Sequence, residues 1–274
     1  MQIARESCHF FRIFAIRSLL IVVGATMIVP VLPPAAAQPA APPAAEETLA
    51  DPVAQEILQH ADRIRFPKES FQVDVSIVTR RADQSTETRK YQVLSKGNDR
   101  TLVITTEPAS ERGQTLLMND RNLWVFLPHV SQPVRLSLAQ RLTGQVANGD
   151  LARANFTGDY HPRILRSETI DGEPHHVLEL TGVDRSVTYP RVLFWVKQKN
   201  FHPHKAEFYS LSNRLLKTCR YENFRSMAGR TRPTRLVMDD ALRAGEQSIL
   251  EYDNMKLREL PDKLFTKEYL RRLD

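Results

Sequence analysis

The chain has 274 residues, of which 42% are hydrophobic and 26% charged, with a net charge of +6; this is enough apolar content to bury a core and excludes a disordered or collagen-like polypeptide. The basic excess is spread along the sequence without a polybasic block, so it favours anionic surfaces in general and gives no nucleic-acid-binding stripe. Cys8 and Cys219 stand in no C-x-x-C pair, which removes zinc ribbons and dithiol redox centres from consideration.

At the N-terminus Arg5, Arg12 and Arg17 precede an apolar run from Leu19 to Leu32 and then Ala35-Ala36-Ala37, the order of a secretory signal. The run holds Gly24 and Pro30 and falls short of the roughly 20 residues that span a bilayer core. Residues 1–37 are therefore expected to be a cleaved signal peptide. From Pro30 to Ala45, thirteen of sixteen residues are proline or alanine, a composition that keeps chain extended, so residues 38–50 are expected to be a tether. Residues 51–274 are then a single folded domain.

That domain opens with Asp51-Pro52, an N-cap followed by proline at the first helical position. Ala54, Ile57, Leu58, Ala61 and Ile64 recur at spacings of three and four, so an amphipathic helix is predicted to end before Pro67. From Phe71 onward the period changes to two: Phe71, Val73, Val75 and Ile77 alternate with Gln72, Asp74 and Ser76. Strands are predicted at residues 71–79, 89–96, 101–106, 114–118, 123–127, 133–136, 163–170, 175–181, 192–197, 204–210, 215–224, 234–239 and 246–256. Turn chemistry separates them, as at Lys96-Gly97-Asn98-Asp99, Asp171-Gly172 and Ala228-Gly229. Loops this short require antiparallel pairing, which argues against a doubly wound nucleotide fold. Residues 138–155, with Gly144 and Gly149, break the pattern and predict a short helix and an irregular loop. A last helix is predicted from Thr266 through Leu273.

Leu123 to Leu127 and Val192 to Val196 are apolar on both faces, so both sides of these strands must be covered. An ordinary two-sided core explains this, and so does a cavity of lipid size. The search for catalytic chemistry is negative: the sequence has no G-x-S-x-G, no phosphate-binding loop, no G-x-G-x-x-G and no H-E-x-x-H. His175 and His176 point to opposite faces of a strand, and His202 and His204 have no third ligand placed by the sequence. Asp239-Asp240 and Asp159 near His161 read as turn formers, and Cys219 as a small core residue. No catalytic residue, metal or cofactor is expected.

Leu123-Trp124-Val125-Phe126-Leu127-Pro128, the stretch from Pro133 to Leu138, Gly149-Asp150-Leu151 to Phe156, Tyr189 to Val196, Lys205-Ala206-Glu207-Phe208-Tyr209, Pro233-Thr234 with Met238, and Phe265-Thr266 to Leu270 occur in that order. In this order the chain resembles the outer-membrane lipoprotein-sorting, LolA-like family of Gram-negative bacteria, from about residue 50 to the end. The resemblance implies an α+β fold in which a curved antiparallel sheet forms an incomplete β-barrel around a hydrophobic cavity with a helical lid. It implies a periplasmic carrier that binds acyl chains of a lipid or lipoprotein and moves them between the inner and outer membranes. An inner-membrane transporter and an outer-membrane acceptor are the partners that such a role implies.

On this reading Phe71, Val73, Val75, Trp124, Phe126, Phe194 and Trp195 are candidates for the cavity lining. Leu138, Leu142, Leu151 and Phe156 belong to the candidate lid, whose two glycines permit rearrangement, and Arg100 is the candidate latch. Two other functions are compatible with the same half-barrel: an envelope-stress sensor that binds lipid as a regulatory module, which would be expected to carry a further C-terminal domain, and a non-transport enzyme.

Overall fold

The computed structural model describes residues 51–97, 99–128, 130 and 132–270. The signal peptide and tether expected at residues 1–50, and the end of the last helix, lie outside the described residues. Among those described, no helix is long and apolar enough to cross a membrane.

Helix α1 spans Pro52–Arg65, and the Asp51 carboxylate caps it by accepting the Val53 and Ala54 amides at 3.1 and 3.0 Å. The same carboxylate accepts the Ile164 amide at 3.1 Å, which pins the start of the helix to a strand more than a hundred residues away. At the other end the buried Arg232 donates to the Arg63 and Ile64 carbonyls at 2.8 and 3.1 Å. A cation there satisfies the last carbonyls and opposes the negative end of the helix dipole.

Among the described residues the main sheet has thirteen antiparallel strands. They are β1 (Phe71–Arg80), β2 (Thr86–Lys96), β3 (Arg100–Glu107), β4 (Thr115–Asn119), β5 (Asn122–Phe126) and β6 (Val134–Leu136), followed after an insertion by seven more. The insertion holds β7 (Arg141–Thr143), β8 (Val146–Ala147) and α2 (Asn148–Ala152). The sheet then continues with β9 (Tyr160–Ile170), β10 (Glu173–Gly182), β11 (Arg191–Lys197), β12 (Pro203–Tyr209), β13 (Leu215–Met227), β14 (Arg230–Asp240) and β15 (Gln247–Leu257). Each of the thirteen predicted strands is present. The hairpin of β7 and β8 was not predicted, because two- and three-residue strands are too short to show a period. A 3-10 turn at Asp262–Phe265 and α3 (Lys267–Leu270) stand where the last helix was expected.

The order is β6-β5-β4-β3-β2-β1-β15-β14-β13-β12-β11-β10-β9, so β1 pairs with β15 and the outermost strands β6 and β9 stay unpaired with each other. At about 4.8 Å per strand, β5 and β10 would stand roughly 50 Å apart in a flat sheet. Arg121, in the turn between β4 and β5, nevertheless donates to Asp159 just before β9 at 3.0 Å and to Asp184 just after β10 at 2.7 Å. The sheet therefore curls until its two halves meet, an open barrel clasped at this end by one arginine.

Most of the apolar side chains fall on the inner face of this curl. The main core draws Phe71, Val73, Val75 and Ile77 from β1, Met118 and Leu123 from β4 and β5, and Phe194 and Val196 from β11. Two segments outside the main sheet cover it. Helix α1 lies against β9, β12 and β14, while α2 lies against β3 and β4.

Candidate functional site

The covered inner face is the candidate site. From α1, Ala54, Ile57, Leu58 and Ala61 pack into the core, and from the insertion Leu138, Val146, Leu151 and Phe156 do the same, with Leu142 partly buried beside them. The lid candidates thus all belong to one cover over the inner face. Its glycines answer a tighter requirement than freedom to move. A Cβ on Gly149 would stand 2.0 Å from the Thr188 hydroxyl, and one on Gly144, where φ is +49°, would strike Thr79 and Ser248. Both are places of close approach in the closed arrangement.

Polar groups hold the cover down. The Asp62 carboxylate on α1 is buried, accepts the Phe156 and Thr157 amides at 3.0 and 2.7 Å and the Thr157 hydroxyl at 2.7 Å, and pairs with Arg65 at 3.1 Å. Asp150, in α2, takes a hydrogen bond from the Tyr189 hydroxyl at 2.9 Å and an ion pair from the buried Lys217 at 2.6 Å. Lys217 also donates to the Gln145 carbonyl at 2.7 Å. Asp159 is shared by Arg153 and Arg121. These groups tie the insertion to α1, to β13 and to the barrel clasp. The Arg65 guanidinium lies 4.3 Å from the centre of the Phe156 ring, so the cation that neutralises Asp62 also packs on the lid.

Arg100 is not among these latches. It pairs with Asp262 at 2.9 Å in the C-terminal segment, on the other side of the sheet. The charged residues that do latch the lid carried a signal in the sequence. Asp62 and Arg65 follow Leu58 and Ala61 at the spacing of the apolar stripe of α1, and Lys217 alternates with Cys219 and Tyr221 on the inner side of β13.

The seven lining candidates divide between the faces. Phe71, Val73, Val75 and Phe194 are on the inner face. Trp124 and Phe126 are on the outer face with Leu94, Leu102 and Leu117, beneath Leu260, Phe265 and Leu270 of the C-terminal segment. Trp195 is also outside, packed on Val177 and Leu193, with the Lys205 ammonium 4.0 Å from its ring. The correction has a simple cause: when a strand is apolar at every position, alternation tells that its faces differ but not which one points inward. Leu123 and Val125, the neighbours of Trp124, are the inward residues of β5.

The interior is largely filled, and beneath the insertion a pocket of about 170 Å³ remains, lined by Tyr91, Leu116, Val125, Leu136, Leu142 and Asn148. At the junction of the two covers a cavity of about 20 Å³, lined by Phe66, Phe71, Val73, Val93, Leu151 and Tyr252, has room for a single water. Next to it, and sharing Phe66, Gly97 and Asn155, an open cleft of about 450 Å³ runs along the end of α1. In this arrangement Leu138, Val146, Leu151 and Phe156 of the cover fill space against the inner face where a lipid-sized cavity was expected.

Cys219 is fully buried in the core, and burial pushes its thiol up to about 12, so it is a thiol and no nucleophile at neutral pH. Asp239 accepts from Arg220 at 2.5 Å and from Gln247 at 2.7 Å. His204 stands against His175 with ring centres 4.8 Å apart, while His202 stacks on Phe224, so His202 and His204 do not converge. Among the described residues no three His, Cys, Asp or Glu side chains gather where a metal ion could be held.

Comparison with known proteins agrees with this architecture. A LolA superfamily protein from Nitrosomonas europaea is 66% identical over 79% of this chain and 98% of its own, with a TM-score of 0.76. The chain belongs to the LolA superfamily. A family model described as an uncharacterized protein matches residues 97–272. The superfamily fold is shared at 21% identity by a putative outer membrane lipoprotein-sorting protein domain from Vibrio parahaemolyticus, which covers 81% of this chain and 99% of its own with a TM-score of 0.69. A DUF1329 family protein from Desulfovibrio piger shares it at the same identity with a TM-score of 0.68. No curated protein sequence matches.

Proposed function

We propose that this protein is a periplasmic carrier that takes the acyl chains of a lipid or lipoprotein against its inner face and moves them between the inner and outer membranes, with no chemical step. The observation that carries the proposal is the cover: a continuous apolar face of a curled sheet is closed by two segments that are not part of the sheet and that polar latches hold in place. Membership of the LolA superfamily supports the same reading.

The physical logic is exchange. Each buried methylene is worth about 0.8 kcal/mol, so free acyl chains in water are strongly unfavourable. Leu138, Leu151 and Phe156 occupy the inner face as an internal substitute for such a chain. When cargo displaces them, one apolar contact replaces another, and the net cost is the breaking of the latches at Asp62, Asp150 and Asp159. This lets loading and release both proceed without an energy source bound to the carrier. An inner-membrane transporter that loads the site and an outer-membrane acceptor that empties it are the partners this mechanism requires.

The test is native mass spectrometry of the mature protein purified from periplasm, followed by organic extraction of whatever it carries. Co-purified lipid or acylated protein is the expected result and names the cargo. A protein that is empty, and that also fails to take up a fluorescent fatty acid, overturns the proposal.

A further inference from the structure

The seam between the two covers has a polarity of its own. Phe66, at the end of α1, and Asn155, in the insertion, stand on opposite sides of it and line both the small inner cavity and the open cleft outside. The inner side has Phe71, Val73 and Tyr252 as an apolar floor, with the Ser95 and Thr101 hydroxyls at its edge, and among the described residues no charged one lines it. The outer side carries Arg63 and Lys68, both exposed. Arg63 donates to the Gln59 carbonyl, and among the described residues neither cation makes a salt bridge with a carboxylate. Among the described residues the one acid lining the cleft, Asp62, is already neutralised by Arg65.

Two further features set the charge here. The end of a helix normally presents negative carbonyls, but Arg232 binds those of Arg63 and Ile64 and is itself buried without a carboxylate partner among the described residues. Burial and the neighbouring Arg230 pull its guanidinium down to about 10, and Glu69 is the acid that opposes them. Within the seam the Asn155 side-chain oxygen is buried and has no hydrogen-bond partner, a polar acceptor left open between the apolar and the basic side.

We propose that this seam is the mouth of the acyl-binding site and that the cargo it accepts carries a single anionic group, a phosphate or carboxylate, on its acyl chain. The inference rests on the carrier reading and adds the head-group chemistry and the place. The chain passes Phe66 and Asn155 into the space that opens as Leu151 and Ala154 lift, while the anion stays in the cleft, which at about 450 Å³ is of ligand size, against Arg63 and Lys68. A neutral head gains nothing from this pair of cations, and a zwitterionic head gains less than an anionic one because its own cation opposes them.

The experiment is competition against a bound fluorescent fatty acid on the mature protein, with palmitate, monopalmitoyl phosphatidylglycerol and monopalmitoyl phosphatidylcholine as competitors. The two anionic lipids are expected to compete roughly thirtyfold better than the zwitterionic one, since each of the two basic side chains favours an anionic lipid head about fivefold. That ratio should fall toward one in the Arg63→Glu, Lys68→Glu double variant and, with the unmodified protein, at high salt. A preference for palmitate alone or for the phosphatidylglycerol alone assigns the anion to one of the two sources. Equal competition by all three lipids, or a preference that survives both the double variant and salt, overturns the mouth while leaving acyl binding intact. If the fluorescent probe does not bind at all, the carrier reading falls and this inference falls with it.

Discussion

The inner and outer faces of the sheet are both covered by chain that follows or interrupts the strands, yet the two covers are fastened differently. Inside, α1 and the insertion are held by buried charges: Asp62 and Arg65 are 5% and 7% exposed, Asp150 and Lys217 8% and 5%. Outside, the C-terminal segment shields Trp124 and Phe126, and its clasp is Asp262, which is 67% exposed, with Lys96 and Arg100. A buried pair is costly to break, because losing one partner strands a charge in a medium of low polarity. An exposed pair fastens weakly in any state. Under the proposed function the inner cover is the switch, while the outer one patches leftover apolar surface.

The largest expected effect comes from breaking the inner latch. Asp62→Ala leaves Arg65 buried without its carboxylate and frees the Phe156 and Thr157 amides, which should cost about 3–5 kcal/mol of stability in urea unfolding. Hydrogen exchange at those two amides should rise far more than exchange in β11. If exchange at residues 156 and 157 stays as slow as in the parent, the lid is not held from α1 and the contrast between the covers loses its main support.

Next in size is a test of the faces themselves. Phe194 and Trp195 are neighbours on β11, both nearly inaccessible to water, and they belong to different clusters. Phe194→Ala should lower both stability, by about 3–5 kcal/mol, and the uptake of a fluorescent fatty acid. Replacing Trp124 and Phe126 together by serine should lower stability by about 1–3 kcal/mol, since both are only partly buried, and leave uptake unaltered. Loss of uptake in that second variant would move the site to the outer face.

A smaller effect should follow from pH. Burial depresses His176, His202 and His204 from the ordinary imidazole value of 6.5, and for His204 the neighbouring His175 adds to this. A group whose folded value is depressed contributes stability above its unfolded value and loses it as pH falls. The melting temperature should therefore decline between pH 7 and pH 5, and substituting His204 by glutamine should flatten that decline. A melting temperature that rises on acidification would contradict the placement of these rings.

Much of this was legible in the sequence. The thirteen strands were, because alternation and turn residues such as Asp171-Gly172 act locally. So was α1, from Asp51-Pro52 and the stripe beginning at Ala54. The phase of β5 was not, because Leu123 to Leu127 is apolar throughout and only the third dimension decides that Leu123 turns in and Trp124 out. The latches were half legible: Asp62 and Lys217 stand where the stripe and the alternation call for apolar residues, but their partners at Phe156, Thr157 and Asp150 are 67 or more residues distant and no local rule pairs them. Arg121 closing the barrel belongs to the same class.

The smallest effect expected is also the one that separates the covers most cleanly. The Asp262 carboxyl is held below the usual carboxylate value by its hydrogen bond from Lys96, with Arg100 adding to this, so the clasp persists above that range and is lost as pH falls through it. Asp262→Asn should loosen the C-terminal segment at neutral pH with little change in overall stability. Trp124 reports the change, because Lys267 of that segment lies 3.8 Å from its ring. Its emission should shift to the red as water replaces Leu260 and Phe265, while Trp195, under Lys205 in a separate apolar cluster, should hold its emission constant. Fatty-acid uptake should be the same in Asp262→Asn as in the parent, since Asp262 stands in the outer segment with Leu260 and Phe265. If uptake changes together with the Trp124 signal, strands β2 to β5 transmit between their faces, and the outer cover is part of the switch.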